Sequence, residues 1–387
     1  MPSHLFQPLS LRGITFRNRV VISPMCQYSA IDGLANDWHL VHLGKFAQGG
    51  AGSVMVEATA VTAEGRITHG DIGLWHDGQI APLKRIATVL KDNGAVPAIQ
   101  LAHAGRKASM QRPWFGNAAL NDADRARGDL PWQVVAPSAI PMDEGWLVPH
   151  ELAAAELNAL RDDWRRATLR AVEAGFDFLE LHCAHGYLLH EFLSPLSNRR
   201  TDGYGGDRAG RMRYPLEILE TVRAAWPSDR PLSVRISSVD GIDGGIDLAD
   251  SVAFAREAKA RGADIIDCSS GGLMGSATAA RIPRGYGFQV PFARAIRTEA
   301  DIPTMAVGLI LHPQQAEDVL AQGSADLIAI GREALFDPNW PLHARMALEQ
   351  DGETFDGWPQ QYGWWLARRE PGLRKLEGPA LPFRKQG

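Results

Sequence analysis

The chain has 387 residues, 45% hydrophobic and 22% charged, with 40 Lys+Arg against 45 Asp+Glu. This is ordinary globular usage, and it excludes a disordered, collagenous or disulfide-scaffold protein. A net charge of −5 without a basic run argues against sequence-independent binding to nucleic acid, which relies on clustered cations. Cys26, Cys183 and Cys268 are far apart and lack C-x-x-C spacing, so structural zinc and iron–sulfur clusters are not expected. The N-terminal residues have no apolar stretch behind a basic start, and no apolar run reaches the ~20 residues of a membrane span. The expectation is a soluble, cytoplasmic protein with neither a membrane nor a nucleic-acid partner.

In chain order, residues 5–18 predict a small hairpin beneath the first strand. Short runs rich in Val and Ile then recur at 20–23, 53–57, 96–101, 178–182, 232–236, 265–269, 304–307 and 327–330. Runs apolar on both faces suit parallel strands buried beneath helices. Helical periods fall between them near 80–92, 153–173, 212–225, 248–261 and 313–322. Gly94, Gly262 and Gly323 each follow a helix and precede a strand, as such loops require. Strands alternating with helices in this way predict an α/β fold, a (β/α)8 TIM barrel over residues 1–350. A doubly wound sheet is the competing architecture. Residues 104–149, rich in Pro, Trp and Gly, form an insertion after the third strand, and a connection this long with several tryptophans suits an ordered lid. Residues 351–387 form an aromatic C-terminal extension, expected to dock on the barrel or on a neighbouring subunit.

Active sites of such barrels form at the C-terminal ends of the strands, and unusual groups recur there. The first strand runs into Ser23-Pro24-Met25-Cys26-Gln27-Tyr28, the second into Ala58-Thr59-Ala60 and the third into Gln100-Leu101-Ala102-His103. The fourth ends in His182-Cys183-Ala184-His185-Gly186-Tyr187, and the fifth carries Arg235. The last three end in Ser269-Ser270-Gly271-Gly272, Val307-Gly308 and Gly331-Arg332. Gly308, Gly331 and Arg332 together suit a phosphate, because glycine admits close backbone approach and arginine adds charge-assisted hydrogen bonds. Each glycine alone could equally be a turn residue. Arg235, inside the apolar run SVRIS, needs either an acidic side chain or a ligand that carries or develops negative charge. His182 and His185 admit three readings: a metal pair without a nearby carboxylate, a packed core pair, or two N–H donors converging on a substrate oxygen. In the third, Tyr187 beside them is a proton donor, and the group stabilises charge on a carbonyl as it becomes an enolate.

In this order SPMCQY, EATAV, QLAHAGRK, HCAHGYL and IGRE resemble the Old Yellow Enzyme family of flavin-dependent ene-reductases. The stretch HEFLSPLSNRRTDGYGG, continuing into RAGRMRYPLEIL, is similar to the family's segment after the fourth strand. The resemblance covers about residues 5–340 and points to the branch of bacterial xenobiotic reductases and thermophilic-like enzymes. It implies non-covalent FMN, NADPH or NADH as hydride donor, and reduction of the C=C bond of enones, enals, maleimides and nitroalkenes. It further implies that Ser23, Pro24, Met25 and Cys26 line the flavin, with Cys26 modulating its potential and touching substrate. Ala60 and Gln100 would contact the ring, and Arg235 would sit where negative charge accumulates on reduction. Gly308, Gly331 and Arg332 would hold the phosphate. His182 and His185, assisted by Tyr28, would bind the substrate's carbonyl or nitro oxygen, His182 also touching the cofactor, and Tyr187 would deliver a proton. Lys107 resembles a family lysine near the flavin or the site entrance.

The chain departs from some relatives in having His185 where Asn is frequent and Val307 where some xenobiotic reductases carry Trp. In this branch a C-terminal Arg or Trp enters a neighbouring subunit's site. Trp364 and Trp365 are the candidates here, which implies a homodimer or higher homo-oligomer. Dienoyl-CoA reductase and amine dehydrogenase relatives would need an iron–sulfur cysteine cluster and further domains, and dihydrouridine synthases a basic surface. A non-catalytic, phosphate-binding barrel is the alternative from a different class.

Overall fold

Strands Val20–Ile22 (β1), Ser53–Ala60 (β2), Val96–Ala102 (β3), Phe178–Cys183 (β4), Leu232–Ser237 (β5), Ile265–Ser269 (β6), Thr304–Ala306 (β7) and Leu327–Ile330 (β8) pair in chain order into a closed barrel. The computed structural model describes residues 3–274, 282–349, 355–373 and 375–376. Closure is made by β8 against β1, with Ile328 opposite Val20 and Ile330 opposite Ile22, all neighbours running parallel. A doubly wound sheet has two free edges, so this pairing rules it out.

Each strand leads to a helix on the outside: Asp37–Gln48 (α1), Ile80–Asp92 (α2), Ala154–Glu173 (α3), Arg208–Ala225 (α4), Leu248–Ala260 (α5), Val290–Glu299 (α6), Pro313–Ala321 (α7) and Trp340–Glu349 (α8). The helices α1, α6 and α8 were not marked by the sequence periods. The helix α2 shows why the pattern works elsewhere. Its buried Ile80, Leu83, Ile86, Ala87 and Leu90 follow the 3–4 spacing of one face, and Gly94, at φ +75°, turns the chain into β3. Side-chain caps start several helices: Asp207 accepts the Gly210 N–H at 2.8 Å and Asp247 the Asp250 N–H at 2.8 Å. The Asp207 cap is why α4 begins at Arg208 rather than at residue 212. β2 runs on to Ala60 rather than ending at residue 57, because a register shift between Val56 and Thr59 lets pairing with β3 continue.

The strands separate two apolar layers. Leu179, Leu181 and Cys183 of β4 pack against helices, whereas Phe178 joins Val21, Met55, Ala98, Ile265, Met305 and Leu327 inside the barrel. The hairpin Leu9–Leu11/Ile14–Phe16 closes the floor, with the Phe16 ring edge-on to Phe178 at 5.5 Å between centroids. Above this plug the inward positions turn polar, to Glu57, Gln100, Glu180, Arg235 and Asp267, all buried.

The insertion after β3 carries a short ladder between Val135–Ala136 and His150–Glu151. Met110, Val134, Trp132 and Trp146 gather with Cys26, Tyr28 and Tyr187 in one apolar cluster beside the barrel mouth. Near the C-terminus, buried Phe355 and the Trp358 ring, 5.6 Å from His343 of α8, tie the chain to the barrel. The following helix Gln360–Leu373 leaves Trp364 and Trp365 48% and 68% exposed. Of the extension, residues 351–354, 374 and 377–387 lie outside the described residues. Among the described residues no helix is long and apolar enough to cross a membrane.

Candidate active site

At the end of β4 the chain makes a sharp turn, and its geometry aims three side chains. His182 is the last inward residue of β4, and its ring lies 5.2 Å from that of His185 and 5.1 Å from that of Tyr187. His185 adopts φ +61°, a left-handed conformation that strains a branched or bulky L-residue. Four contacts hold it there. The His185 N–H donates to Ser237 Oγ at 2.9 Å, and the His185 carbonyl accepts from Lys107 Nζ at 2.8 Å. Its Nε2 is 2.7 Å from Ser269 Oγ, and the Gly186 N–H donates to His190 Nδ1 at 2.8 Å. A side chain on Gly186 would strike the Gly272 carbonyl, its Cβ only 2.4 Å from that oxygen.

Several of these anchors were not legible from motifs. Lys107, expected near the flavin or the site entrance, is a buried strut. Its ammonium bridges the carbonyls of His185 and Gly272, at 2.8 and 2.9 Å, and lies 5.2 Å from the Tyr187 ring centre. Burial pulls it down to about 8. His190 faces Asp240 at 2.9 Å, both fully buried, and Glu191 accepts the Arg106 N–H at 2.9 Å. The one available signal was HGYLLHE, which puts His190 and Glu191 four or five residues beyond the turn, on the first helical coil after it.

Burial, then the positive charge of Arg235, holds His182 and His185 well below the ordinary histidine value. Both rings are therefore neutral N–H donors at pH 7. Burial raises the Tyr187 phenol well above its ordinary value, with Cys26 adding to the effect, so the hydroxyl keeps its proton. Burial and the nearby Glu57 likewise keep Cys26 a thiol. Tyr28, at φ +51°, packs edge-on against Trp114 and is also pushed up by burial.

Beneath this group Arg235 sits in register between His182 of β4 and Asp267 of β6. Its Nε is 3.0 Å from Asp267 Oδ2, so the acidic side chain considered as its partner is present. Gln100 Nε2 donates to Glu180 Oε1 at 2.8 Å, and Ser233 Oγ donates to Glu180 Oε2 at 2.9 Å. Ser23 and Ala60 are buried at the ends of β1 and β2, with Pro24, Met25 and Cys26 half-buried beyond. Gly331 faces this corner, where a Cβ would lie 3.8 Å from Met25 Sδ. Across the mouth, His185, Ser269, Ser270, Val307, Gly308 and Arg332 help to line an open cavity of about 170 Å3. Gly308 has φ +114°, and a Cβ there would fall 2.7 Å from Gln289 Nε2. Trp364 and Trp365 are not part of this group and project from the exposed C-terminal helix.

Glu180 is pushed up to about 8, by burial first and then by the negative charge of Asp267. Unfolded, it would titrate near 4.5. Between about pH 4.5 and 8 the native state thus keeps a proton that the unfolded chain has released, so this group costs increasing stability as pH rises through that window and no more above it. Glu180→Gln removes the titration. Its Tm advantage over the unmodified protein is expected to grow by several degrees from pH 5 to 8, and then to level off. Thermal melts showing a pH-independent difference would contradict this.

A closed parallel barrel with a cation, neutral donors and a cavity at its C-terminal mouth is the arrangement of a barrel enzyme whose site lies at that end. The sequence profile described as the NADH:flavin oxidoreductase / NADH oxidase family matches residues 4–351, and the chain belongs to that family, the Old Yellow Enzyme group. It is 45% identical over 362 residues to an NADPH dehydrogenase of Listeria monocytogenes, covering 93% of this chain and 98% of that one. Among solved structures it is similar to morphinone reductase, with a TM-score of 0.74 and 26% identity over 90% of each chain. It is also similar to the Old Yellow Enzyme homologue of Zymomonas mobilis, with a TM-score of 0.73 and 26% identity over 90% of this chain and 93% of that one. The protein is an NAD(P)H-dependent flavin oxidoreductase, and its cofactor is FMN.

The residues present fit that cofactor. Ser23 Oγ and His182 Nδ1, buried at the mouth without a hydrogen-bond partner, are free to meet polar atoms of a ligand there. Gly308 leaves its backbone bare beside the cavity, and Arg332, exposed at its rim, offers an anion five N–H donors.

Proposed function

We propose that this site reduces the C=C bond of alkenes conjugated to a carbonyl or nitro group: enones, enals, maleimides and nitroalkenes. The observation that carries the reading is the grouping of His182, His185 and Tyr187 above Arg235, two neutral donors and one retained phenolic proton at a single mouth. When bound, FMN would supply the hydride chemistry, with NAD(P)H as the source of reducing equivalents and the alkene β-carbon as the acceptor. Gly308, Gly331 and Arg332 would hold its phosphate, Ser23, Pro24, Met25, Cys26 and Ala60 would line it, and Gln100 and Arg235 would meet its polar edge. His182 and His185 donate N–H groups to the substrate's carbonyl or nitro oxygen, with Tyr28 beside them, and so draw charge away from the double bond. Tyr187 gives its proton to the α-carbon and recovers one from solvent, so that NAD(P)H, a proton and the alkene become NAD(P)+ and the saturated product. The insertion 104–149 walls off one side of the mouth and excludes water. Residues 1–350 act as one FMN-binding unit. The exposed Trp364 and Trp365 of the 351–387 extension are its contact to a second copy, in a homodimer or larger homo-oligomer.

The name shared by curated relatives, NADPH dehydrogenase, supports NADPH as donor. The test is a single turnover: protein reduced anaerobically with NADPH is mixed with 2-cyclohexenone, N-methylmaleimide or β-nitrostyrene. Return of flavin absorbance at a rate that rises with alkene concentration, with the saturated product formed, is expected. Reoxidation by oxygen alone, with every alkene inert, would overturn the reading.

A further inference from the structure

The polar layer under the mouth holds two carboxyl groups and one guanidinium. Asp267 is fully buried, Glu180 fully buried and Arg235 nearly so. Arg235 and Asp267 are direct partners across β5 and β6, their charges 3.0 Å apart without hydrogen-bond alignment. Neither Asp267 oxygen has any hydrogen-bond partner, so the guanidinium is its compensation. Glu180 differs: both its oxygens are engaged, by the Gln100 amide and the Ser233 hydroxyl. Two carboxylates cannot both ionise beside one cation in so dry a place. The proton belongs on Glu180, which has neutral hydrogen-bonding neighbours, and the negative charge on Asp267, which touches the cation.

We propose that Asp267 is the counter-charge that limits how far Arg235 favours reduced over oxidised FMN, making it a positioning residue for the cofactor's reduction potential. The inference rests on the reading of the site above, in which Arg235 meets the edge of the cofactor that gains negative charge. An unopposed guanidinium would stabilise that charge strongly in a poorly solvated barrel. Pairing with Asp267 makes the layer nearly neutral, so the bound cofactor is easily reduced by NAD(P)H yet still gives up its electrons to an alkene. Gln100 belongs to the same device. One of its two N–H groups is committed to Glu180, which fixes the amide plane and leaves its carbonyl oxygen and second N–H for a ligand.

The test is the midpoint potential of bound FMN, measured by slow equilibrium reduction against a reference dye. In Asp267→Asn the ratio of affinities for reduced and oxidised FMN is expected to rise about tenfold, which for a two-electron couple is about 30 mV upward. Glu180→Gln replaces a neutral acid by a neutral amide and should change the same ratio less than twofold. An unchanged or lowered midpoint in Asp267→Asn, or a rise in Glu180→Gln as large as its own, would overturn the assignment. Asp267→Ser carries the same expectation as Asp267→Asn and leaves room for a water. Failure of both variants to fold with FMN would also overturn it, since a tuning residue is dispensable for binding. Unmodified protein that takes up no FMN would instead refute the reading of the site itself.

Discussion

Replacing Tyr187 by Phe is expected to slow hydrogenation of an enone by reduced protein about 10²–10⁴-fold, the usual worth of a positioned general acid. Reduction of the flavin by NADPH, which needs no proton from this residue, should stay within about twofold. The substitution removes one buried oxygen and keeps the ring that packs against His182 and under Lys107, so folding is little affected. The phenol suits the task because burial keeps it protonated across the working pH range. Rapid-mixing measurements of the two half-reactions separate the steps. An equal loss in both halves would mean that Tyr187 shapes the pocket and does not supply the proton.

Removing one of the paired imidazoles should cost about 10²–10³-fold in kcat/KM for enones, as loss of a donor to developing oxyanion charge does. His182→Ala and His185→Ala are both expected to show it. In the proposed reading the two donors serve one oxygen, so their effects should not be additive. His185 allows a sharper test because its backbone conformation is unusual. Asparagine tolerates φ +61° and retains an N–H donor, so His185→Asn should recover most of what His185→Ala loses. Steady-state kinetics showing Asn and Ala equally impaired would assign His185 a packing role.

The strands and the mouth were legible because barrels impose two simple patterns on a sequence. Strands covered by helices read as apolar runs, and ligands bind where those runs end. His182, His185, Tyr187, Arg235, Gly308 and Arg332 are all visible as polar or glycine punctuation at such ends. The helices α1, α6 and α8 were less legible. In α1, DWHLVHLGKFAQ, polar and aromatic groups are mixed, and the neighbouring helices sort them into faces, whereas α6 carries an apolar face that went unmarked. The insertion was recognisable as foreign to the repeat, but not its apolar cluster with Cys26, Tyr28 and Tyr187.

Local order of residues therefore suffices for the architecture and the family, because periodicity and motif spacing are properties of consecutive residues. Pairing of charges is not. Asp267 meets Arg235, Glu180 meets Gln100, and Lys107 meets the carbonyls of His185 and Gly272 across separations of 32 to 165 positions. Those meetings depend on barrel closure and on the register of each strand against the next. The energy of a buried charge depends on its nearest neighbours in space, so the protonation of the polar layer, and the aim of the two imidazoles above it, emerge only when the eight strands are joined.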